Sequence, residues 1–209
     1  INLKFKKKNN DLYFDQIKYQ EENNLILIND LRFLNNSFIS LKNLKVKTFN
    51  QDKLNNDFSV NFSKIINVQG KKFDAENLNK LIKKKSNNKF LEKISKDIKI
   101  EIVEIKTPLS KQLGNFRLIG SLKKGEFTKV SSKGDFGNDK FLDITLKTDK
   151  DNKKKFLEIY SDLPQPLLSE YSFFKGLSGG NIMFSSIIEG KTADSKLIIE
   201  DFKIVNAPA

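Results

Sequence analysis

The chain has 209 residues, no cysteine, no histidine and a formal net charge of +12. These absences exclude disulfides, thiolate zinc sites and cysteine nucleophiles, and they remove the commonest general base and the commonest metal ligand. Carboxylates, lysine and tyrosine remain for chemistry, but no motif brings them together. The sequence therefore predicts no enzyme, no metal site and no cofactor.

The positive charge comes almost entirely from lysine. Of 38 basic residues only Arg32 and Arg117 are arginine, the residue that bidentate recognition of phosphates and bases prefers. The lysines are also spread along the chain and mixed with carboxylates. We therefore expect a solvated basic surface and no nucleic-acid partner.

Residues 1–70 have the pattern of short strands. The clearest case is Phe58, Val60 and Phe62, which alternate with polar residues and so share one face of a strand. Turns rich in Asn, Asp and Gly recur about every ten residues, which is typical of an antiparallel meander.

A helical interruption is predicted near 74–95. Asp74 suits an N-cap, and Leu78, Leu81 and Ile82 follow it at helical spacing. We expect one helix over about 75–85 and a second over about 89–96, with their apolar faces against a sheet.

Strands resume at Ile98 and continue to Ser161. The alternation changes phase between Ile102 and Val103, as it does at a β-bulge. Further along, Leu142, Ile144 and Leu146 share one face. The sequence predicts ten to twelve strands in all.

Two polar or glycine-rich features are candidate sites. The carboxylates Asp135, Asp139 and Asp143 lack the spacing of a calcium loop, so turn chemistry is favoured over metal binding. Gly176, Gly179 and Gly180 lack the lysine of a phosphate loop. We expect a helix near 166–174 that ends at Gly176. Gly179–Gly180 should then interrupt the regular secondary structure before strands at Ile182–Ile188 and Lys196–Val205.

These elements predict a mainly β fold, a long antiparallel meander in one continuous sheet with one or two short helices. A sheet with one apolar face must bury it, by closing into a barrel, by folding into a sandwich or by curling around something apolar. The aromatic residues are 18 Phe, 4 Tyr and no Trp, which favours dry contacts, either with a packed core or with acyl chains.

The stretch Asp162–Pro208 resembles the C-terminal region of the AsmA-like proteins of Gram-negative bacteria, particularly of the YhdP type. The resemblance is carried by an aspartate before a short apolar helix, an aromatic and Gly-Gly step, and the closing strand: Asp162, Leu167, Leu168, Phe173, Phe174, Gly176, Gly179, Gly180, Asp201, Phe202, Ile204, Asn206, Ala207 and Pro208. Gly114–Ser161 is similar more loosely, and residues 1–107 are similar in style alone. We therefore divide the chain into a β-meander over 1–107 and an AsmA-like β segment over 108–209.

The resemblance implies a fragment of a larger periplasmic protein, anchored in the inner membrane through an N-terminal helix outside this sequence. Such proteins form long curled sheets, open grooves or half-barrels, that carry or shield phospholipid between the inner and outer membranes. The expected partners are phospholipid acyl chains, the membrane and other envelope proteins.

On this hypothesis the apolar face lines a lipid groove. The candidate lining residues are Phe58, Val60, Phe62, Leu142, Ile144, Leu146, Ile182, Phe184 and Ile188, and the candidate structural motif is Asp162, Gly176, Gly179, Gly180, Phe202 and Pro208. The alternative is a closed β-sandwich or barrel, an interaction module for envelope assembly that conducts no lipid. The two differ in whether the apolar face is open or occluded.

Overall fold

The computed structural model describes residues 1–78, 91–149, 151, 153–169, 171 and 176–205. In chain order the elements are β1 (Asn2–Lys8), β2 (Asp11–Glu21), β3 (Asn24–Leu34), β4 (Ser37–Ser40), β5 (Asn43–Asn50), β6 (Lys53–Phe62), β7 (Ile66–Asp74), β8 (Asp97–Lys106), β9 (Gln112–Lys123), β10 (Glu126–Gly137), β11 (Lys140–Thr148), β12 (Lys154–Ser161), helix α1 (Gln165–Leu168), β13 (Leu177–Glu189) and β14 (Thr192–Ile204). Single 3-10 turns lie at Leu91–Lys93 and Pro108–Ser110.

All the described strands belong to one 14-stranded sheet. The strands follow one another in sequence order from β1 to β14, except that β4 and β5 both pair with β3. Within the described residues β1 pairs with β2 alone and β14 with β13 alone, so the sheet is open and curled. The predicted mainly β meander is confirmed, and the closed sandwich or barrel considered as its alternative is wrong for this part of the chain.

One pairing departs from the predicted antiparallel meander. Strands β7 and β8 are parallel, with Ile66 opposite Ile98 and Asp74 opposite Lys106. Parallel neighbours need a crossover connection, and the chain between Asp74 and Asp97 supplies it. Most of the predicted helical interruption, residues 79–90, lies outside the described residues.

The prediction for the C-terminal stretch needs two corrections. The described helix there is α1, Gln165–Leu168, and the rest of the predicted helix includes residues 170 and 172–174, which lie outside the described residues. The glycine pair does not interrupt the secondary structure, because it lies inside β13, where Gly179 is opposite Phe202. Both glycines have positive φ, +71° and +81°, and a Cβ on Gly180 would clash with the Glu200 carbonyl oxygen. The pair is an irregularity that glycine permits within a strand.

The predicted phase change in β8 is confirmed. Ile102 and Ile105, three residues apart, are 4% and 8% exposed, whereas Val103 between them is 60% exposed. Across the ladder, Asn115 of β9 adopts a left-handed φ of 50°. The strands bend here, and apolar side chains on both sides of the bend face the same way.

A small core lies at one end of the sheet beneath α1. Its buried members are Ile102, Ile105, Leu113 and Leu142, and Leu167 of α1 packs against them. Pro164 is fully buried and Leu168 is 8% exposed. The short helix therefore covers the end of the sheet where β8 finishes and β9 begins.

Gly134 should be intolerant of any side chain. A Cβ at this position would lie 2.7–3.0 Å from three carbons of Leu113, itself 3% exposed and fixed by the core. We expect Gly134→Ala to lower the free energy of unfolding by about 1–3 kcal/mol, the usual cost of overpacking, measured by urea denaturation.

Gly114→Ala is the matched control, because its Cβ would meet no atom closer than the Asp135 carbonyl oxygen at 3.4 Å. Equal losses of stability in the two variants would contradict the packing argument.

Candidate functional site

A row of side chains, all but one of them apolar, crosses the sheet from edge to edge. We call it the floor row; its members are directly opposite one another in successive strands: Leu3, Ile17, Ile28, Leu44, Val60, Val68, Ile100, Leu118, Ser132, Ile144, Ile159, Phe184 and Leu197. Ser132 is its one polar member. Because directly opposed residues point to the same side of a sheet, the row lies on one face.

The next row, one residue away along each strand, is polar except for Ile119, which is 63% exposed. This outer row consists of Lys4, Gln16, Asn29, Asn43, Asn61, Asn67, Lys99, Ile119, Ser131, Thr145, Glu158, Ser185 and Lys196. Asn29 receives a hydrogen bond from Gln16 at 3.3 Å and donates one to Asn43 at 2.7 Å. The alternation of side chains along a strand thus places the floor row on one face and a mainly polar row on the other. The outer face also carries exposed apolar side chains, among them Phe141 and Met183.

The sheet curls toward the apolar face. Ile102 and Ile182 on this face are 4% and 3% exposed, whereas their chain neighbours Val103 and Met183 on the outer face are 60% and 51% exposed. No second sheet packs on the apolar face within the described residues. For Ile102 part of this burial comes from the cluster beneath α1, against which Leu167 packs. Together with the curl of the sheet, the difference in exposure indicates that the apolar face is the inside of a trough.

The floor of this trough is open to solvent. Most members of the floor row are partly exposed, and its terminal members Leu3 and Leu197 are 49% and 42% exposed. In a closed sandwich a row of this composition would be occluded. A continuous apolar surface of this extent marks a binding surface.

The structure places all nine predicted lining residues on the apolar face. Val60, Ile144 and Phe184 belong to the floor row, and the others lie along the same strands at steps of two. Leu142, Leu146 and Ile182 are buried by neighbouring side chains, at 6%, 7% and 3% exposed. These three serve as core, because side chains so covered offer a ligand no surface. Phe58, Phe62 and Ile188 are partly exposed.

Sequence reasoning missed most of the floor row, above all in the N-terminal strands. A residue in a left-handed conformation interrupts β3 at Asp30 (φ 54°), and the pairing of β1 with β2 shifts between Lys4 and Phe5. Such interruptions break the period-two pattern into short pieces. The sequence does alternate locally around Ile17, Ile28 and Leu44. That these three residues belong to one row becomes clear only when the strands are paired.

The interruption at Asp30 is held by polar contacts. The Tyr13 hydroxyl donates a hydrogen bond to Asp30, and the Lys42 ammonium lies 3.4 Å from its other carboxylate oxygen. The hydrogen bond from Tyr13, with further help from Lys42, lowers the pKa of Asp30, while the carboxylate raises the pKa of Tyr13. These contacts stabilise the bend and place no reactive group in the trough.

Phenylalanine rings extend the apolar surface of the N-terminal strands. Phe5, Phe14, Phe33 and Phe38 contact one another in series, with centroid separations of 5.8, 6.5 and 6.3 Å. Such rings provide dry contact area without a polar group to satisfy.

In the predicted structural motif, Asp162 and Gly176 make hydrogen bonds that hold neighbouring segments of the chain together. Asp162 accepts a hydrogen bond from the Phe141 backbone N–H at 2.9 Å and another from the Tyr160 hydroxyl, and the latter raises the pKa of Tyr160. The Gly176 carbonyl accepts a bond from the Val205 N–H at 2.8 Å. Phe202 is exposed on β14, and Pro208 lies outside the described residues.

The three carboxylates considered as a metal site, Asp135, Asp139 and Asp143, lie around the β10–β11 hairpin. Asn138 and Asp139 form its turn with φ of 54° and 58°, Asp135 accepts the Gly137 N–H at 2.5 Å, and Asp143 pairs with Lys133 at 3.5 Å. Among the described residues no three His, Cys, Asp or Glu side chains converge as a metal site would require. Within the same residues no helix is long and apolar enough to cross a membrane.

Comparison of the chain with protein-family models, with curated proteins and with solved structures found no match. The trough itself is thus the basis for a function.

The trough should bind an apolar fluorescent probe such as N-phenylnaphthylamine. Replacing the opposed floor residues Leu44 and Val60 with Ser removes two partly exposed apolar side chains. We expect probe affinity to fall about tenfold or more, since a buried aliphatic side chain contributes roughly 1.5–3 kcal/mol, as measured by fluorescence titration.

The matched control is Asn43→Ser with Asn61→Ser, the adjacent opposed pair on the outer row. Circular dichroism would establish that both variants fold. An equal loss of probe binding in the control would show that the probe does not lie on the floor row.

Proposed function

We propose that this chain is a segment of an AsmA-like lipid-conducting protein, in which the trough holds phospholipid acyl chains and shields them from water. The observation that carries the proposal is the floor row, an apolar strip that crosses the whole described sheet and stays accessible from one side. Lipid acyl chains would cover the apolar face of the described sheet, as a second sheet does in a sandwich. Such a segment acts by binding and passing lipid, without catalysis.

The dimensions suit this role. Neighbouring strands are about 4.8 Å apart, so the path from β1 to β14 makes a trough roughly 60 Å long. Half of a bilayer's hydrocarbon core, the depth of one acyl chain, is about 15 Å. Several lipids could therefore lie side by side along the floor row.

The open edges of the sheet fit a segment of a longer conduit. Leu3 on β1 and Leu197 on β14 carry the apolar strip to both edges, where the strand ladders have free backbone groups. A neighbouring segment that paired with either edge would lengthen the trough. In the full protein we place this conduit in the periplasm, anchored to the inner membrane, where it carries phospholipid between the two membranes.

Site-specific photo-crosslinking tests the proposal. A photoreactive amino acid at Ile144 or Phe184, both on the floor row and partly exposed, should capture phospholipid in cells and from vesicles. The captured lipid would be identified by mass spectrometry of the crosslinked protein.

The same probe at Thr145 or Ser185, one residue along on the outer row, is the control and should capture at least about tenfold less, since the two faces differ by the transfer of an acyl segment from water. Equal capture from both faces, or no capture from the floor row of a folded protein, would rule the proposal out.

A further inference from the structure

The two long sides of the trough differ in charge. The turns that end β6, β9, β11 and β13 all lie at one side of the sheet, together with the start of β8. We call this side the basic rim and define it by Lys64, Lys96, Lys123, Lys124, Lys153 and Lys191. All six lysines are exposed.

The basic rim is continuous, because each turn contacts the next. The Lys96 ammonium donates to the Ser63 carbonyl oxygen, and the Lys124 N–H donates to the Ser95 hydroxyl at 3.0 Å. Beyond them, Lys155 pairs with Glu126 at 2.7 Å and Lys154 with Glu189 at 3.5 Å. These contacts join the turns from β6 to β14 along one side.

The carboxylates on this rim are mostly engaged already. Lys155 hydrogen-bonds Glu126 and lowers its pKa, so this carboxylate stays ionised and paired. Asp97 accepts the Ser121 hydroxyl at 2.6 Å, and Asp149 accepts the Lys153 N–H at 2.8 Å. In the described part of the chain, by contrast, the six lysines that define the rim make no ion pair.

At the turns and strand ends of the opposite rim, acidic residues outnumber lysines. Its turns and strand ends carry Glu22, Asp52, Asp74, Glu76, Asp139, Asp162 and Asp201 beside Lys53, Lys106, Lys111, Lys140 and Lys203. Lys106 is paired with Glu76 at 2.6 Å, and the pKa of Glu76 is lowered by it. An anion at the edge of the trough is therefore favoured at the basic rim alone.

The distance from the basic rim to the floor row matches one acyl chain. Val60, Leu118, Ile144 and Phe184 lie roughly four to six residues along their strands from the basic-rim turns, or about 13–20 Å at the rise of a β-strand. One leaflet's hydrocarbon is about 15 Å deep. A lipid with its tails on the floor row would thus have its phosphate among these lysines.

We propose that the basic rim binds the phosphates of lipids held in the trough and so selects lipids with a net negative headgroup. This inference rests on the proposed function, because it assumes that acyl chains occupy the floor row. Exposed lysines suit a headgroup that stays in water, since each contributes a modest, salt-sensitive attraction. The bias toward lysine over arginine fits this point-charge attraction better than bidentate readout of a nucleic acid.

The test is a competition between two lipids with identical acyl chains, phosphatidylglycerol and phosphatidylcholine, offered in equal amounts. The repurified protein would be extracted and its lipids quantified by mass spectrometry. We expect about fivefold enrichment of phosphatidylglycerol at low salt, and loss of the enrichment in 0.5 M salt, where the screening length is only a few ångströms.

A variant with Lys64, Lys123, Lys124 and Lys153 changed to Gln should bind as much total lipid as the wild type with the enrichment reduced to near unity. The control variant changes Lys53, Lys111, Lys140 and Lys203 of the opposite rim to Gln and should keep the enrichment. Lipid bound without preference, or an equal loss in both variants, would overturn the rim assignment and leave the proposed function standing.

If no lipid of either kind binds the wild-type protein, both proposals fall together. Displacement of phosphatidylglycerol by a single-stranded oligonucleotide that requires the same four lysines would also overturn the assignment, because the rim would then be a nucleic-acid surface.

Discussion

The structure depends on an unbroken register across its strands. Because side chains alternate along a strand, a slip of one residue in any ladder would carry the polar outer row into the trough from that point onward. Such a slip would expose the aliphatic residues of the floor row on the outer face and place the Asn residues of the outer row among the apolar side chains of the trough, which is unfavourable on both faces. The register thus keeps the apolar side chains on one face of the described sheet, on which no second sheet packs among the described residues.

Curvature comes from positions that interrupt the regular strand. Left-handed residues at Asp30, Asn115 and Gly179–Gly180 lie within strands and not in the hairpin turns. Each lets a strand bend while the apolar residues on both sides of the bend keep facing inward, as Ile102 and Ile105 do. A flat sheet of this size would expose its apolar face fully. The bends therefore convert a one-sided sheet into a trough.

The sequence was sufficient for the class of fold and for the face of each clean strand, because period-two alternation depends on local geometry alone. It placed Val60, Ile144 and Phe184 on one apolar face and located the phase change after Ile102. It was insufficient for the burial of individual side chains, for the role of the glycine pair and for the one parallel pairing. Burial of Leu142, Leu146 and Ile182 depends on neighbours distant in the chain, and the glycine pair looks locally like a turn although Phe202 pairs opposite it. The parallel pairing of β7 with β8 likewise depends on how the connecting segment crosses the sheet.

That crossover decides where the charges lie. In a meander successive turns fall on alternate sides of the sheet, so a lysine-bearing turn and an Asn-Asp turn end on opposite rims whenever they are neighbours, as at β9–β10 and β10–β11. Had β8 run antiparallel to β7, the turns after β9, β11 and β13 would have joined the other rim, and Lys64 would face away from Lys123 and Lys153. The parallel pair returns the chain to its starting side and so keeps these lysines together. The direction of one strand thereby places Lys64, Lys123 and Lys153 on the same rim, although lysines are spread along the whole chain.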